Sequence, residues 1–399
     1  MRGGEQVVIV GAGPVGLVLA RLLAAAGIPA TVLEAEGGIA DELRASTFHP
    51  PTLDMLDTIG LAAPLVEAGL VTPTWQVRMH ADGAAAVFDL SILKDDTAHP
   101  YRLQCEQTVL SRLLVADLAT RPGVSVRFGA RVAEVGQDAD RAWAVLASGE
   151  RVEGAYVVGC DGAHSVVRRT LGLAFDGQTY PETMILATTQ FDFASAMPGL
   201  SNVNYIWTDS PAFSGNFSLL RVPGRWRTSL YPAPGETVEA ARSPAAIERK
   251  LQAIVPRDAP YEVMEMRAYR IHQRIVANYR VGRLVLAGDA AHLNSPSGGM
   301  GMNGGIHDAF NLAARLREIG EGADAAVLDR YTRQRQPVAA EQILGQSDGN
   351  RGRMRERDPV ARRRILDGLR AIADDPAKAL PHLRKTSMID GLRAAEAVT

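Results

Sequence analysis

Two kinds of hydrophobic pattern alternate along the chain, and the change between them divides it. Val7–Val10, Ala30–Leu33, Ala155–Val158 and Leu284–Ala287 are short runs with no polar face, as expected of strands covered on both sides in a parallel sheet. The apolar stretch after Gly16, residues 108–120 and residues 302–319 are long enough for helices, as is the shorter Pro51–Leu61. Val124–Phe128 reads as a further strand, followed by a hairpin-like region. From about Tyr180 to Met266 polar and apolar residues alternate, with aromatics, as in Asn204-Tyr205-Ile206-Trp207 and Phe217-Ser218-Leu219-Leu220. That period of two predicts a separate antiparallel sheet. Beyond Asp324 the pattern is largely helical. The whole reads as α/β: a doubly covered parallel sheet from residues 1–179 and 271–325, interrupted by a sheet domain at 180–270 and followed by a helical segment at 326–399.

The first strand runs directly into Gly11-Ala12-Gly13-Pro14-Val15-Gly16, and the second ends at Glu34. In a strand–turn–helix–strand unit this is the Rossmann-like fingerprint for the ADP half of a dinucleotide. Gly11 permits the tight turn, Gly13 lets the backbone approach a pyrophosphate, and Gly16 lets helix and strand pack closely. The helix N-terminus meets the phosphate charge with free N–H groups. Glu34 stands where an acid accepts hydrogen bonds from a ribose 2′-hydroxyl, which disfavours NADP at this site and leaves FAD or NAD.

Composition narrows the partners. With 399 residues, 46% hydrophobic, the chain can bury a large core. A formal charge of −2 gives no electrostatic reason to expect nucleic acid or an anionic membrane, and the basic run Arg351–Arg364 is broken by Glu356 and Asp358. Two cysteines, Cys105 and Cys160, make no disulfide framework; no apolar run approaches a membrane span, and the first strand follows Met1 too closely for a signal peptide. The expectation is a cytoplasmic protein, monomer or homodimer, with a small-molecule ligand and no metal.

Two further motifs bear on the cofactor. Gly159-Cys160-Asp161-Gly162 through Arg168 follows the third apolar strand, and Gly288-Asp289-Ala290-Ala291-His292 follows the fourth, at the strand ends where open α/β sheets bind ligands. With Gly11–Gly16, Arg44, Tyr101–Gln107 and Pro296–Asn303, in this order, the chain resembles the single-component FAD-dependent aromatic hydroxylases typified by para-hydroxybenzoate hydroxylase. His99–Gln104 and Phe88-Asp89-Leu90 are most similar to the hydroxyphenylpropionate hydroxylase branch. A simple NAD dehydrogenase accounts only for the first motif. The chain stops soon after Leu392, so the extra C-terminal thioredoxin-like domain of some relatives is not expected.

The resemblance implies a Rossmann-like FAD-binding domain interrupted by an antiparallel-sheet substrate domain. It implies Gly11, Gly13, Pro14 and Gly16 at the pyrophosphate, Glu34 at the adenosine ribose, Asp289 with Gly288 at the ribityl chain, and Arg44 and Gln104 nearby. Asp161, Gly162 and Arg168 would help hold FAD and dock NADH or NADPH, which has no second glycine turn of its own. Arg168 reads equally as a surface cation, and Asp289 as a helix cap. Pro296, Gly298 and Gly299 would line the flavin and oxygen pocket, with Gly301, Met302 and Asn303 opening a helix whose positive end meets the negative charge of reduced flavin. His292 is the candidate catalytic histidine beside that loop, with His49 and His272 the other histidines near it, and Tyr205, Trp207 and Phe217 are the candidate substrate contacts. Arg221, Arg227 and Arg270 are candidates to pair with a substrate carboxylate. The implied reaction reduces FAD with NAD(P)H, adds O2 to form a C4a-hydroperoxide, and hydroxylates an electron-rich phenol or hydroxylated heteroaromatic. The alternatives are an epoxidase, dehydrogenase or halogenase of the same fold, or a non-catalytic FAD-binding protein; Lys94 and Lys250 offer no halogenase-like context.

Overall fold

The four strands lie in one sheet because their faces are apolar but for Thr31, whose hydroxyl is satisfied by Gln6 and Ser125. In the computed structural model, which describes residues 5–40 and 43–399, the order is Arg280–Val281, Leu284–Leu286, Tyr156–Gly159, Val7–Val10, Ala30–Leu33 and Val124–Arg127. All neighbours are parallel except the short Arg280–Val281 edge. The Pro14–Ala25 helix packs against Gln107–Leu118 and Gly301–Gly320, and a three-stranded sheet of Val132–Gln137, Ala142–Leu146 and Arg151–Gly154 lies alongside.

The second sheet has eight strands: His292–Leu293, Val263–Ile275, Asp176–Thr189, Arg225–Leu230, Asn216–Val222, Val203–Trp207, Thr74–Met79 and Ala85–Asp89. Positions 180 and 270, expected as the edges of this region, fall inside strands. The last two strands come from the segment expected to belong wholly to the first half of the nucleotide domain. Trp75–Met79 pairs in parallel with Val203–Trp207, a partner too distant in sequence for any local pattern to announce.

The faces of this sheet do different work. Ile185, Ala187, Ile206, Phe217, Leu219 and Leu230 form a core with the Pro244–Ile254 helix, which contributes Ile247, Leu251 and Ile254. On the other face, Trp75, Phe88 and Trp207 are sealed by Leu366, Leu369 and Leu383 of the C-terminal helices Pro359–Ala373 and Pro376–Thr386. The remainder of that face looks toward the nucleotide domain. A π-helical stretch, Ala339–Leu344, joins the Val327–Val338 helix to Gly345–Met354, whose far end meets the space between the sheets. No helix among the described residues is long and apolar enough to cross a membrane.

Candidate active site

A cavity of 1090 Å³ lies between the strand ends of the parallel sheet and the inner face of the second sheet. At one end is the glycine turn. Gly11 sits at φ +104°, and an added Cβ would lie 2.5 Å from the Cys160 carbonyl; at Gly16 it would strike the Gly11 carbonyl. A Cβ on Gly13 would meet nothing, so that position opens onto the cavity. Gly13 caps the Pro14–Ala25 helix without a side-chain hydrogen bond, so the first N–H groups remain for an anion. Glu34 reaches back to the turn: Oε2 accepts from Ala12 N at 2.7 Å and Oε1 from Glu36 N at 2.9 Å.

Asp161 and Asp289 face the cavity from the two motif loops. Asp161 Oδ2 accepts from Val166 N at 2.6 Å, while Oδ1 is buried without a protein partner. Asp289 lies inside the Gly288–Ala290 turn, whose cap position is Ala287, so it is not the cap residue. Burial raises the Asp161 carboxyl above the ordinary aspartate range, opposed by hydrogen bonds from Ser165 and the helix, whereas the Asp289 side chain is exposed on the cavity side. Two acceptors, one orphaned, along a cavity lined by a glycine turn fit a polyhydroxylated dinucleotide: hydroxyl groups would satisfy them without adding charge.

Several expected site residues stand behind this wall rather than on it. Arg168 is buried; its guanidinium donates to Ala290 O at 2.9 Å and Ala163 O at 2.7 Å and lies 3.8 Å over the Phe175 ring. It is neither a surface cation nor a nucleotide contact, and it staples the two motif loops together. His292 is corrected as well. It is fully buried with Nε2 2.7 Å from Asp308 Oδ2, and its ring stacks on Tyr279, so it has no path to a substrate. Asp308 also accepts from Gly288 N at 3.1 Å and Arg335 Nε at 2.7 Å, and that network positions the Gly288-Asp289 turn. Gln104 is buried too, accepting from Thr47 Oγ1 at 3.1 Å, with no share in the cavity lining.

The loop before the Gly301–Gly320 helix takes the shape its glycines permit. Gly298 and Gly299 lie at φ +100° and +69°, and Gly299 N donates to Pro296 O at 3.0 Å. Pro296, Gly299, Gly301 and Met302 line the cavity; Gly298 borders a smaller one behind it. Asn303 is structural: Nδ2 donates to Thr47 O at 2.8 Å and Gly299 O at 2.7 Å, and Oδ1 accepts from His49 N at 2.9 Å. The Gly301–Gly320 helix has no side-chain cap, which leaves its first N–H groups and positive end toward the cavity. His49 Nε2 donates to Gly298 O at 2.8 Å, and burial with the Arg102 charge holds it well below the usual histidine range.

Strand register selects the substrate-side residues. Tyr205, Ser218, Ser229, Leu186 and Arg267 stand opposite one another across five strands, and all line the cavity. Phe217 pairs with Ile206 and so belongs to the other face; it borders the cavity, but its ring packs on Phe213 and His80 at 5.0 and 5.4 Å. Trp207 shares the face of Tyr205 but is wholly covered by the C-terminal helices. Tyr205 alone of the three expected aromatics presents its side chain, and Met184, Tyr231 and Tyr269 join it. Arg227, 3% exposed, pairs with Glu106 and donates to Arg44 O at 2.6 Å, so its charge ties the domains together. Arg270 and His272 border the cavity, whereas Arg221 lies over Trp226, a residue of the outer-face core.

The buried histidines predict a pH response. Burial and Arg335 hold His307 at about 3, and burial holds His382 at about 4, below the unfolded value of 6.5. The unfolded chain therefore binds protons that the fold refuses, so stability is complete above pH 6.5 and falls as pH drops toward those folded values. The expected loss from pH 6.5 to about 5 is about 2 kcal/mol per such histidine. Urea midpoints at pH 7 and 5 measure it, and His307→Gln, which can keep the Thr52 hydrogen bond, should shrink the difference; an unchanged difference contradicts the assignment.

A Rossmann-like sheet whose glycine turn, paired aspartates and glycine loop share one cavity with a second sheet defines a flavin-dependent oxidoreductase. The chain belongs to the FAD binding domain family, whose model matches residues 5–345. It is 35% identical over 406 residues to the para-nitrophenol 4-monooxygenase of Pseudomonas sp. (strain WBC-3), covering 98% of both chains. To the 6-hydroxy-3-succinoylpyridine 3-monooxygenase of Pseudomonas putida (strain DSM 28022 / S16) it is 35% identical over 354 residues, 87% of this chain and 88% of that one. The crystal structure of p-nitrophenol 4-monooxygenase from Pseudomonas putida DLL-E4 superposes with a TM-score of 0.88 at 32% identity, over 96% of this chain and 98% of that one. The protein is an FAD-dependent monooxygenase of the aromatic hydroxylase class.

Proposed function

We propose that the protein is an NAD(P)H- and O2-dependent hydroxylase of a phenol or hydroxylated heteroaromatic. One observation carries the reading: a single cavity runs from the glycine turn, past the Pro296–Met300 loop, to the Tyr205 face of the second sheet. A nucleotide-length cofactor and a small ring can share that space. The similarity to monooxygenases named for a nitrophenol and a hydroxypyridine supports it.

Bound FAD supplies hydride acceptance from the reduced nicotinamide and activation of dioxygen. The protein's own part is holding and shielding. The helix behind Gly13 takes the pyrophosphate, Glu34 the adenosine ribose and Asp289 the ribityl hydroxyls. The uncapped start of the Gly301–Gly320 helix stabilises negative charge at the flavin pyrimidine. Met184, Leu186 and Leu220 exclude water from the substrate side. Burial raises the hydroxyls of Tyr231 and Tyr269, the latter to about 12, so both present an O–H rather than a phenolate to a substrate oxygen. His49 and His292 are already engaged by Gly298 and Asp308, and the reading assigns neither as a base.

The test is stopped-flow flavin absorbance with NADH or NADPH and a panel of phenolic and pyridine-type acids, first without oxygen and then with it. The expected result is flavin bleaching accelerated at least about tenfold by one class of compound, then its hydroxylated product. Bound flavin that no phenol or hydroxypyridine helps to reduce, or oxidises without product, contradicts the proposal.

A further inference from the structure

Two arginines with no carboxylate to answer them meet behind the substrate wall. Arg102 ends the loop into the Arg102–Gln104 strand and is 3% exposed. Its guanidinium lies 5.0 Å over the Trp75 ring and hydrogen-bonds the Tyr205 hydroxyl, its Nη2 makes one long contact to Thr386 O at 3.5 Å, and its Nε is buried without a partner. Arg353, near the end of the Gly345–Met354 helix, has only Asn350 Oδ1 at 3.3 Å. Among the described residues neither forms an ion pair, whereas the buried Arg227, Arg335 and Arg362 each have an acid and the buried Arg168 donates to two carbonyls. The positive charge is felt nearby: Arg102 helps depress both His49 and His382, and burial lowers Arg102 and Arg353 themselves.

Both arginines line a small cavity of 30 Å³, together with Tyr205, Gly298 and Met300. Tyr205, Ser297, Met300 and Met354 also line the main cavity, so the two spaces share a wall. About 10–15 Å³ of such space accommodates one water-sized atom, so the small cavity has room for two oxygens. A buried guanidinium with a free N–H is costly until an anion accepts from it, and its fork matches two oxygens on one atom.

We infer that Arg102 and Arg353 form an anion subsite that takes the carboxylate of the aromatic substrate, with the ring in the main cavity beside Tyr205. This rests on the hydroxylase reading and deepens it: the substrate is a phenolic or pyridine-type acid. Free small anions share the chemistry, and the subsite is assigned to the substrate because Tyr205, Ser297, Met300 and Met354 line it and the main cavity alike.

The test uses FAD-loaded enzyme and reads dissociation constants from the flavin absorbance change, so it needs no turnover. The probes are 3- and 4-hydroxybenzoate, 4-hydroxyphenylacetate and 3-(4-hydroxyphenyl)propionate, each against its neutral amide. At least one acid should bind about tenfold or more tightly than its amide, and Arg353→Gln should erase that preference. Arg102→Lys, which keeps the charge without the fork, should retain part of it, with FAD content per chain confirming the fold of each variant. No acid preferred over its amide, or a preference unchanged in Arg353→Gln, overturns the inference. So does an Arg353-dependent response to sodium formate with no preference among the phenols, which would make the subsite one for free anions. Failure of the hydroxylase reading is separate: it appears as absent product in the stopped-flow experiment, whatever binds here.

Discussion

Asp308→Ala should destabilise the protein by about 3–5 kcal/mol, the cost of removing one partner from a buried ion network. The carboxylate, fully buried, answers Arg335 through one oxygen and His292 and Gly288 N through the other. Those interactions hold its pKa down at about 2 against the effect of burial, so it is charged at any working pH. Truncation leaves the Arg335 charge, 1% exposed, with Gly304 O as its remaining partner. The same change frees the turn that presents Asp289, so bound FAD should fall as well. Urea unfolding with flavin quantified per chain measures both, and a midpoint unaltered from wild type would show that the network does not anchor the turn.

Gly11→Ala should yield protein largely without flavin. A non-glycine residue at φ +104° carries roughly 1–3 kcal/mol of strain, about ten- to a hundredfold in affinity, before any collision is counted. The added methyl then meets Cys160 O at 2.5 Å, backbone that belongs to the neighbouring strand and cannot swing aside. Turn and third strand must separate, which moves both Gly13 and Asp161. Gly13→Ala is the informative contrast: its Cβ enters open space on the cavity side, so the apo fold should be intact and only the approach to the pyrophosphate obstructed. The visible-to-protein absorbance ratio of purified variants, with the apo melting temperature beside it, separates the two cases. Full flavin content in Gly11→Ala would overturn the turn's assigned role.

The legible part of this protein was written in contiguous residues. Four runs without a polar face, Val7–Val10 through Leu284–Leu286, demanded burial on both sides and hence a covered parallel sheet. Gly11 and Gly16 announced a close turn that only glycine allows and Gly13 an open approach to the ligand, and Asp161 and Asp289 sat where strand ends deliver ligand contacts. What misled was also local. His292 and Arg168 stand beside cofactor motifs, yet their side chains turn inward to Asp308 and to the Ala163 and Ala290 carbonyls. Trp207 has the same alternation as Tyr205 but ends under Leu366 and Leu369. The one hint of Asp308 was an acid between Ile306 and Ala309 on a helix face with Leu312 and Leu316; the pattern marks such a residue as buried without naming its partner.

The amino-acid sequence by itself determined the class of fold, the dinucleotide turn and the family chemistry, because strand burial, positive φ and helix-end dipoles are properties of short segments. Tertiary structure alone decided that Thr74–Met79 and Ala85–Asp89 complete the second sheet, that Tyr205 and not Phe217 faces the cavity, and which buried charges are paired. Those outcomes depend on register and on contacts between residues a hundred or more positions apart, such as Arg227 with Glu106, whereas Arg102 and Arg353 converge from still farther apart with no acid between them. Burial makes the difference: once water is excluded, a charge's role follows from what the fold places against it.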